Sequence, residues 1–464
     1  MPDQNDVSRR DFMQGAAKAA GVAAGAGALA QAANADVYKR ILPQTVLGAN
    51  EKLLSGHIGV GQMGKRDLQF VMLREDVQPV AVCDLFPPNL DQATQIISAK
   101  YPEPTKHTYF EEVIANKDID IIVVVTPDHW HTVPTLMAFE AGKDVYCEKP
   151  MSTTIEEGQA IVASAKEHDR IYQSGTMQRS GVYFQEAVKM VQDGYIGKIG
   201  RVETFNYDTG TVKGIGNPPD EPAPSWLDWE RYVGWTRTVP FNKNRFQYNF
   251  RWFTEYSGGK ITDWGAHLLD IAIWAMGEDK QPKAVTAGGG NFVLEDNRTT
   301  PDTLNVSWEF DNYLLTFSNM AWNPYPEMKG PGHGIYFHGT LGSMLVDRRG
   351  YQVFPFRDNG GCEPVSKLDA REMDMNTGHW ENFIQCVRDH KPTICNPEVA
   401  YNTIRTCVTG KAAYLANAKL QWDALAQKFK GGDPDAVKVG NEWLYKPYEN
   451  GWSLKAPHHP NLKA

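Results

Sequence analysis

The sequence lacks several patterns that would indicate other classes of protein. It has no basic run or arginine stripe after residue 40, and its formal net charge is −9, so we do not expect nucleic acid as a partner. Its six cysteines form no Cys-x-x-Cys pair, which argues against a dithiol or zinc site. No long low-complexity tract follows the first 35 residues, and a chain of 464 residues is expected to fold as two domains.

The first 35 residues have the order of parts found in a twin-arginine signal. Ser8-Arg9-Arg10-Asp11-Phe12-Met13 contains the arginine pair, a mildly apolar stretch runs from Ala16 to Ala32, and Ala33-Asn34-Ala35 is a small-x-small cleavage site. The apolar stretch is too short to predict a stable membrane span. We therefore predict export through the twin-arginine machinery to the periplasm or beyond it, followed by an N-terminal arm at 36–50; the alternative is a flexible alanine-rich tail.

A glycine-rich motif follows the first predicted strand, Leu53 to Gly59, and a helical pattern follows the motif. In such a motif the first glycine makes the tight turn, the second lets the backbone approach a pyrophosphate, and the third lets helix and strand pack closely. The pyrophosphate is then held at the helix N-terminus, where free N–H groups favour negative charge. The motif predicts these dinucleotide-binding residues: Gly59, Gly61, Gln62, Met63 and Gly64.

An acidic residue ends the next predicted strand, Pro79 to Cys83. Asp84 lies 20 residues beyond Gly64, where a carboxylate is expected to bind the ribose hydroxyls of the adenosine. A carboxylate at that position repels the 2′-phosphate of NADP. We therefore predict NAD as the cofactor, with NADP the less favoured alternative.

Two further predicted strands end in polar residues. Ile119 to Val125 ends in Thr126-Pro127, and Asp144 to Cys147 ends in Glu148-Lys149-Pro150. Ligands bind beyond the carboxyl ends of strands in a doubly wound sheet, so both segments are expected to line the nicotinamide half of the site. Asp128-His129-Trp130-His131 could suggest a metal, but Asp128 is a good helix N-cap and no third ligand cluster follows, so we predict no metal.

Together these motifs resemble a known family. The glycine motif, the acidic strand end, Thr126-Pro127-x-x-x-His131 and Glu148-Lys149-Pro150 are similar to those of the glucose-fructose oxidoreductase / inositol dehydrogenase / rhizopine catabolism (Gfo/Idh/MocA) oxidoreductases. The segment Tyr256 to Asp270, with its Gly-Gly and Asp-x-Gly-x-His-x-x-Asp pattern, resembles that family's second motif. The resemblance extends over roughly residues 50 to 425.

The resemblance implies an α/β fold. A Rossmann dinucleotide-binding domain (51–172) would precede an α+β substrate domain (173–425) with a large, mostly antiparallel, open-faced sheet, followed by a surface tail (426–464). It implies substrates among sugars, cyclitols and related polyols, and a sheet face that often packs against another subunit. It also implies roles for further residues: Lys149, Asp263 and His267 as catalytic groups, and Thr126, Pro127, His131, Glu148 and Lys149 at the cofactor.

The residues after 200 support a sheet in the second domain independently of the resemblance. Short alternating or β-branched runs recur between turn signals, as in Leu304 to Phe310 and Tyr313 to Asn319. These strands include four aromatic residues, Trp308, Phe310, Phe317 and Tyr336. Exposed on an open face they would need a partner, so we predict a homo-oligomer, either a dimer or a tetramer.

The residue types fit alcohol oxidation. His267 titrates in the range of a general base, and Asp263, four residues before it, would share a helix face and hold its orientation or bind a substrate hydroxyl. Lys149 would stabilise the developing alkoxide; the alternative for it is a structural pair with Glu148. Arg179 and Arg251 are predicted either to bind substrate or to form structural salt bridges.

Three hypotheses about function follow. The first is an exported oxidoreductase that transfers hydride between a sugar, cyclitol or polyol and a tightly held NAD(P), which a second substrate would reset in place. The second is an enzyme that cleaves glycosides by transient oxidation of a sugar hydroxyl. Exported relatives with that activity replace the Glu-Lys-Pro motif, so its presence here favours net redox. The third is a non-catalytic sugar-binding protein, which the intact set of Lys149, Asp263 and His267 argues against.

Overall fold

The computed structural model describes residues 52–207, 213–323, 332–356, 361–368 and 375–454. The predicted export segment and N-terminal arm lie outside the described residues, as does the end of the predicted tail from residue 455. None of the helices in the described ranges combines the length and apolar character needed to cross a bilayer.

Six strands form the first sheet: β1 (Leu53–Ile58), β2 (Val77–Cys83), β3 (Thr105–His107), β4 (Ile121–Val124), β5 (Asp144–Cys147) and β6 (Tyr172–Ser174). Their order is β3-β2-β1-β4-β5-β6, and β1 pairs in parallel with both β2 and β4. The order reverses between β1 and β4, so the carboxyl ends of these two strands form the crevice where such sheets bind ligands. The predicted Rossmann fold is confirmed.

Five helices accompany this part of the chain: α1 (Gln62–Met72), α2 (Pro87–Ser98), α3 (Phe110–Ala115), α4 (Thr132–Glu140) and α5 (Ile155–Glu167). In α1, Leu68 and Val71 are buried at helical spacing beside Gly64. Leu68 packs with Val82 of β2 and Ile97 of α2 in one apolar cluster. Burial of these faces fixes the turn between β1 and α1, which carries the glycine motif.

Ten strands form the second sheet: β7 (Ile199–Tyr207), β8 (Ala284–Gly290), β9 (Thr303–Glu309), β10 (Leu314–Met320), β11 (His333–Gly339), β12 (Gly342–Asp347), β13 (Gly350–Pro355), β14 (Val365–Leu368), β15 (Leu420–Asp423) and β16 (Lys428–Lys430). Their order is β14-β13-β12-β11-β7-β10-β9-β8-β15-β16. Only the pairing of β7 with β10 is parallel among these described strands. The predicted large, mostly antiparallel sheet is confirmed.

Seven more helices follow among the described residues: α6 (Val182–Gln192), α7 (Trp229–Val233), α8 (Lys260–Asp263), α9 (Gly265–Met276), α10 (Met375–Asp389), α11 (Pro397–Ala416) and α12 (Pro434–Leu444). Short 3-10 helices occupy Asp128–Trp130, Met177–Ser180, Lys243–Arg245 and Gln247–Trp252. The predicted surface tail thus contains β16, which pairs with β15, and α12, whose Leu444 is fully buried.

The expectation that four aromatic residues line an open sheet face is wrong for three of them. Trp308 and Phe317 are fully buried, and Phe310 is buried as well. The Trp308 indole N–H donates to Thr409 Oγ1 of α11 at 3.2 Å, so this face of the sheet is covered by a helix. Strand alternation places these residues on the covered face, whereas Tyr336 remains partly exposed.

Contacts group the described chain into two units. The first contains 52–126, 133–146 and 163–171, and the second contains 127–132, 147–162 and the described residues from 172 onward. The first unit therefore carries the glycine motif, Asp84 and Thr126. The second carries the segment with Lys149 together with the segment that contains Asp263 and His267.

Candidate active site

The turn after β1 requires glycine at two positions. Gly59 has a φ of +83°, in the left-handed region. A Cβ atom on Gly64 would lie 2.1 Å from the Gly59 carbonyl oxygen, so α1 packs directly on the turn. Gly61 immediately precedes α1, and a Cβ there would meet a single side-chain atom at 3.7 Å. The backbone is thus open to approach at the start of an 11-residue helix, where a pyrophosphate fits.

The end of β4 lies against the glycine turn. A Cβ on Gly59 would lie 2.5 Å from the Val125 carbonyl oxygen and 2.7 Å from the backbone nitrogen of Thr126. Thr126 therefore lies beside the turn, at the edge of the sheet where the sequence predicts it. Gln62 and Met63 are the first two residues of α1. These residues fit the phosphate-bearing part of NAD.

Asp84 is bound to the glycine loop itself. Its Oδ2 atom accepts from the backbone N–H of Val60 at 3.0 Å and from Asn89 Nδ2 at 3.2 Å, and its Oδ1 accepts from the N–H of Phe86 at 2.8 Å. Burial raises the pKa of Asp84, and these hydrogen bonds act against that rise. The carboxylate thus lies between the glycine loop and the end of β2, where a ribose hydroxyl would be recognised.

Lys149 and Asp263 form a largely buried ion pair in the second unit. The ammonium nitrogen of Lys149 lies 2.6 Å from Asp263 Oδ1 and 3.0 Å from the Asp263 carbonyl oxygen. Burial alone would raise the pKa of Asp263, but the charges of Lys149, Arg251 and Lys260 outweigh burial and hold this pKa well below its usual range. Asp263 is therefore an ionised acceptor that fixes the ammonium group.

The alternative pairing of Lys149 with Glu148 is not what the structure shows. The backbone N–H of Lys149, not its ammonium group, donates to Glu148 Oε2 at 3.2 Å. The Glu148 carboxylate packs on Gly175, where a Cβ would lie 2.2 Å from Oε1. Glu148 is buried, and its close fit to Gly175 sets the direction of the segment that carries Lys149.

Asp263 and His267 belong to two consecutive helices rather than one. α8 ends at Asp263 and α9 begins at Gly265, although Trp264 between them keeps right-handed helical angles (φ −89°, ψ −32°). Gly259 precedes α8 with a φ of +68°, which allows the tight entry expected from the Gly-Gly sequence. In the part of the chain that the structure describes, no hydrogen bond joins Asp263 to His267, so Asp263 orients Lys149 instead.

His267 is a buried neutral imidazole. Burial lowers its pKa well below the usual value, and repulsion by Lys149 and Arg348 lowers it further. Its Nδ1 atom is buried and has no hydrogen-bond partner among the described residues. A buried imidazole nitrogen without a partner is uncommon in proteins, so the ring is not held by the hydrogen bonds that a purely structural histidine makes.

His131 and Asp128 support the backbone around the site. Pro127 caps a short 3-10 helix that contains Asp128. The Nδ1 atom of His131 lies 2.6 Å from the Pro150 carbonyl oxygen, so the ring N–H donates a hydrogen bond to the residue after Lys149. Asp128 makes no helix cap with its side chain, contrary to expectation; it accepts from Ser257 Oγ at 2.6 Å. His131 thus acts on the Lys149 segment.

Arg179 has a structural role, which corrects its assignment to substrate binding. The guanidinium group donates three hydrogen bonds to Asp270 at 2.8–2.9 Å and one to Glu278. The side chains of Arg179 and Asp270 are 2% and 0% exposed. A guanidinium that is buried and ion-paired in this way has a structural role, so the salt-bridge alternative applies.

Arg251 lies next to Asp263. Its Nε atom is 3.6 Å from Asp263 Oδ1, and its guanidinium lies over the rings of Tyr248 and Phe250 at 4.6 and 4.7 Å from their centroids. About a fifth of the side chain is exposed. Arg251 is therefore placed to bind a hydroxyl or carboxylate near Asp263.

Sequence reasoning missed Arg348 and Ser257. The Arg348 guanidinium stacks on the Trp264 ring at 4.6 Å and donates to Gln178 Oε1 at 3.2 Å, and its charge acts on His267. No local motif marks it, because it lies some 80 residues after His267 in a separate strand hairpin. Ser257 directly precedes Gly258-Gly259, so its position in that motif was a signal in the sequence.

Comparison with known proteins identifies the family to which this chain belongs. Residues 54–176 match the model described as "Oxidoreductase family, NAD-binding Rossmann fold", and residues 232–419 match "Oxidoreductase family, C-terminal alpha/beta domain", both of the Gfo/Idh/MocA type. The chain belongs to the Gfo/Idh/MocA oxidoreductase family. Its N-terminal part is accordingly the family's NAD-binding domain, and the resemblance drawn from the motifs is confirmed in both halves. Among the described residues, no cluster of three or more histidine, cysteine or acidic side chains could hold a metal ion.

Several characterised proteins are similar to this family member. A 2,7-anhydro-N-acetylneuraminate hydratase of Mediterraneibacter gnavus is 23% identical over 68% of this chain and 70% of its own length. An alpha-N-acetylgalactosaminidase of Shewanella oneidensis is 28% identical over 42% of this chain and 45% of its own. The fold matches the WlbA dehydrogenase of Bordetella pertussis, solved with NADH and UDP-GlcNAcA, with a TM-score of 0.60 and 17% identity over 80% of this chain and 99% of that one.

Proposed function

We propose that this chain is an exported, NAD-dependent oxidoreductase that transfers hydride between a CH–OH group of a sugar, cyclitol or related polyol and a tightly bound nicotinamide. One observation carries the proposal. The Lys149 ammonium is fixed on Asp263 at 2.6 Å, beside a neutral His267 whose Nδ1 atom has no partner among the described residues. This set provides a cation for an alkoxide and a base for a hydroxyl proton.

His267 takes the hydroxyl proton in the oxidative direction. Its lowered pKa keeps the imidazole neutral at pH 7, so it can accept a proton, and the resulting imidazolium returns that proton in the reductive direction. Lys149 stabilises the negative charge that develops on the substrate oxygen, because its position is already set before reaction. Asp263 holds the ammonium, and Arg251 binds a neighbouring hydroxyl.

The glycine loop and Asp84 hold the cofactor. When bound, NAD supplies the hydride acceptor for the oxidised carbon. The N-terminus of α1 stabilises the pyrophosphate, and Asp84 accepts from the ribose hydroxyls while its charge disfavours a 2′-phosphate. The second unit then has to provide the proton chemistry, for which Lys149, Asp263 and His267 are suited.

A second candidate is glycoside cleavage by transient oxidation of a sugar hydroxyl. The similarity to an alpha-N-acetylgalactosaminidase favours it, although that alignment spans less than half of either chain. The same base and cation would serve, because abstraction of the hydroxyl proton comes first in both reactions. The two candidates differ in outcome: net reduction of the nicotinamide in one, and release of an aglycone without net reduction in the other.

Export and assembly are further parts of the proposal. The twin-arginine pattern at Arg9-Arg10 supports transport of the folded enzyme with its NAD inserted, since an exported enzyme has no nicotinamide pool to exchange with. We propose a dimer or tetramer formed through the open sheet face. Phe205, Tyr207 and Tyr336 are partly exposed there, with ring centroids 5.4 to 5.9 Å apart. Light scattering of the purified protein tests the assembly.

The test uses enzyme purified without added nucleotide. Part of the sample is denatured and its released NAD(H) and NADP(H) are quantified; the rest is incubated with sugars, cyclitols and aryl glycosides while reduced-nicotinamide absorbance and free aglycone are followed together. Stable reduction of bound NAD by a free sugar supports the oxidoreductase. Aglycone release without net reduction supports the glycosidase, and an empty, inactive protein refutes both. A Lys149→Met variant, treated in parallel, serves as the inactive control.

A further inference from the structure

The C-terminal segment 446–454, called here the strap, lies beyond the part of the chain that matches the family model, which ends at residue 419. The strap is nevertheless docked by specific contacts. The ring of Tyr448 stacks on that of Trp235 with centroids 4.2 Å apart and planes inclined by 10°. Asn450 Nδ2 donates to the carbonyl oxygens of Gly234 and Thr236 at 2.6 and 2.9 Å. Trp235 itself is fully buried.

The strap reaches the start of α5 through one hydroxyl group. Tyr448 donates to Glu157 Oε1 at 2.8 Å. The other carboxylate oxygen of Glu157 accepts from the backbone N–H groups of Thr153 and Thr154 at 2.8 and 3.1 Å and from the Thr153 hydroxyl at 2.8 Å. Glu157 is fully buried, so an oxygen left without its donor would be costly. Tyr448 therefore completes the set of bonds by which Glu157 fixes this turn.

The turn fixed by Glu157 directly follows the catalytic lysine. Thr153 is four residues after Lys149, and the intervening Pro150 carbonyl accepts from His131 Nδ1. The segment from Lys149 to Thr154 is thus fixed at two points, one on His131 and one on Glu157. The ammonium group on Asp263 provides a further fixed point.

The end of the strap supports the first of these points as well. Trp452 packs edge-on against Trp130, the residue before His131, with centroids 4.9 Å apart. The Arg231 guanidinium lies over both rings, at 5.2 and 5.0 Å from their centroids. The strap therefore contacts both groups that hold the lysine segment: Glu157 through Tyr448, and the 3-10 helix just before His131 through Trp452.

We infer that Tyr448 is a positioning residue for the reaction. Through Glu157, it fixes the turn after Lys149 so that the ammonium group stays on Asp263. This inference rests on the proposed role of Lys149. The strap thereby makes catalysis depend on a segment outside the family's common domains.

The test compares two variants that each remove one tyrosine hydroxyl. Tyr448→Phe keeps the ring on Trp235 but loses the bond to Glu157. Tyr445→Phe is the matched control, because the Tyr445 hydroxyl donates at 2.9 Å to the Gln427 carbonyl oxygen and not to Glu157. We expect kcat to fall about 10-fold in Tyr448→Phe with KM nearly unchanged, since small misplacements of a catalytic group cost rate, and to change less than about 2-fold in the control.

The pH profile distinguishes positioning from general destabilisation. The charged and titratable groups that face His267 are Lys149, Arg348, Asp263 and His333. If the ammonium moves, the repulsion on His267 changes, so the acidic limb of the kcat profile shifts in Tyr448→Phe and stays in place in Tyr445→Phe. In a Lys149→Met background, Tyr448→Phe should lower the residual kcat no further.

Hydrogen exchange provides a readout that needs no turnover. Amides of 149–158 should exchange faster in Tyr448→Phe than in Tyr445→Phe, with both variants folded by circular dichroism. Equal exchange in the two variants, or equal losses of kcat, would overturn the inference. If Tyr448→Phe exchanges faster but the wild-type enzyme has no hydride-transfer activity, the contact between Tyr448 and the lysine segment is supported and the proposed function is refuted. The failure of the inference and the failure of the proposed function therefore give different results.

Discussion

The ammonium group of Lys149 lies on the carboxylate of Asp263, 114 positions later in the chain, at 2.6 Å. Both side chains are largely buried, at 14% and 12% exposure. Each residue comes from a different sequence motif, and the contact brings the motifs together inside the second unit. The pair supplies a fixed positive charge whose orientation is set before any substrate binds.

Replacing Lys149 with methionine tests the value of that charge. The variant keeps the length of the side chain but removes stabilisation of the developing alkoxide, so kcat should fall by about 10²–10³. Lys189→Met is the control, because Lys189 forms an exposed pair with Asp193 and its loss should leave the rate unchanged. Steady-state kinetics with the substrate found in the panel measures both. A Lys149→Met enzyme of near-normal kcat would contradict the assignment.

Arg348 should set the acidic limit of activity through His267. The pKa of His267 is lowered by burial first, and then by Lys149 and Arg348. Removing the charge in Arg348→Gln raises this pKa, so the imidazole becomes protonated at a higher pH. The acidic limb of the kcat profile therefore shifts to higher pH. Arg349→Gln, at the neighbouring and more exposed position, should leave the limb in place. Profiles of kcat against pH from 4 to 8 are measured for the wild type and both variants. An acidic limb at the same pH in the wild type and in Arg348→Gln would count against His267 as the base.

Asp84 should control the choice between the two nicotinamide cofactors. Asp84→Asn retains an oxygen for the Val60 N–H but loses the negative charge. Bonds to a charged acceptor contribute more than neutral ones, so NAD affinity should fall about 10-fold while NADP affinity rises. Asp91→Asn removes an exposed carboxylate paired with Lys106 and should change neither. Calorimetric titration of nucleotide-free protein gives both dissociation constants; a parallel loss for NAD and NADP would show that Asp84 only supports the loop.

Arg179 should matter for folding and not for substrate affinity. Arg179→Met leaves Asp270 buried without its cation, which should lower the free energy of unfolding by about 3–5 kcal/mol. Arg201→Met removes a half-exposed pair with Glu203 and should cost under about 1 kcal/mol. Urea denaturation measures both, and KM of the folded Arg179→Met protein should equal that of the wild type. A large rise in KM at unchanged stability would restore the substrate-binding assignment.

His379 should make the protein sensitive to acid. Burial lowers its pKa to about 4, while its Nε2 donates to the Ser174 carbonyl and its Nδ1 accepts from Ser180. Between pH 6.5 and 4 the unfolded state binds this proton and the folded state does not, so the contribution to stability falls as pH drops. Relative to His379→Asn, the wild type should lose about 1.4 kcal/mol per pH unit in this window. Urea denaturation at pH 7 and pH 5 tests this; a pH-independent difference would contradict it.

Much of the fold was predictable because its signals are local. The strand Asp144–Cys147 has the predicted bounds, since a short apolar run between polar residues defines one element. The glycine turn was predictable from its motif. The structure shows why the motif needs glycine: Gly59 has a positive φ, and Gly64 packs closely on the Gly59 carbonyl.

The remaining features depend on long-range packing, which periodicity does not report. Nothing local distinguishes Trp308, which faces a helix, from Tyr336, which faces outward. The break between α8 and α9 lies at Trp264, in a stretch whose sequence reads as one helix. Arg348 acts on His267 and Tyr448 contacts Glu157 from separate segments late in the chain, so no motif spacing could indicate them.

The assignment of 127–132 and 147–162 to the second unit has a consequence for recombination. A chimera made by joining the N-terminal domain of one relative to the C-terminal domain of another at residue 172 would take Lys149 and its supporting His131 from one parent and Asp263, His267 and Tyr448 from the other. The contacts Lys149–Asp263 and Glu157–Tyr448 would then each join residues from two different parents. A graft that preserves these contacts must transfer residues 127–132 and 147–162 together with the C-terminal part, which makes three separate exchanges.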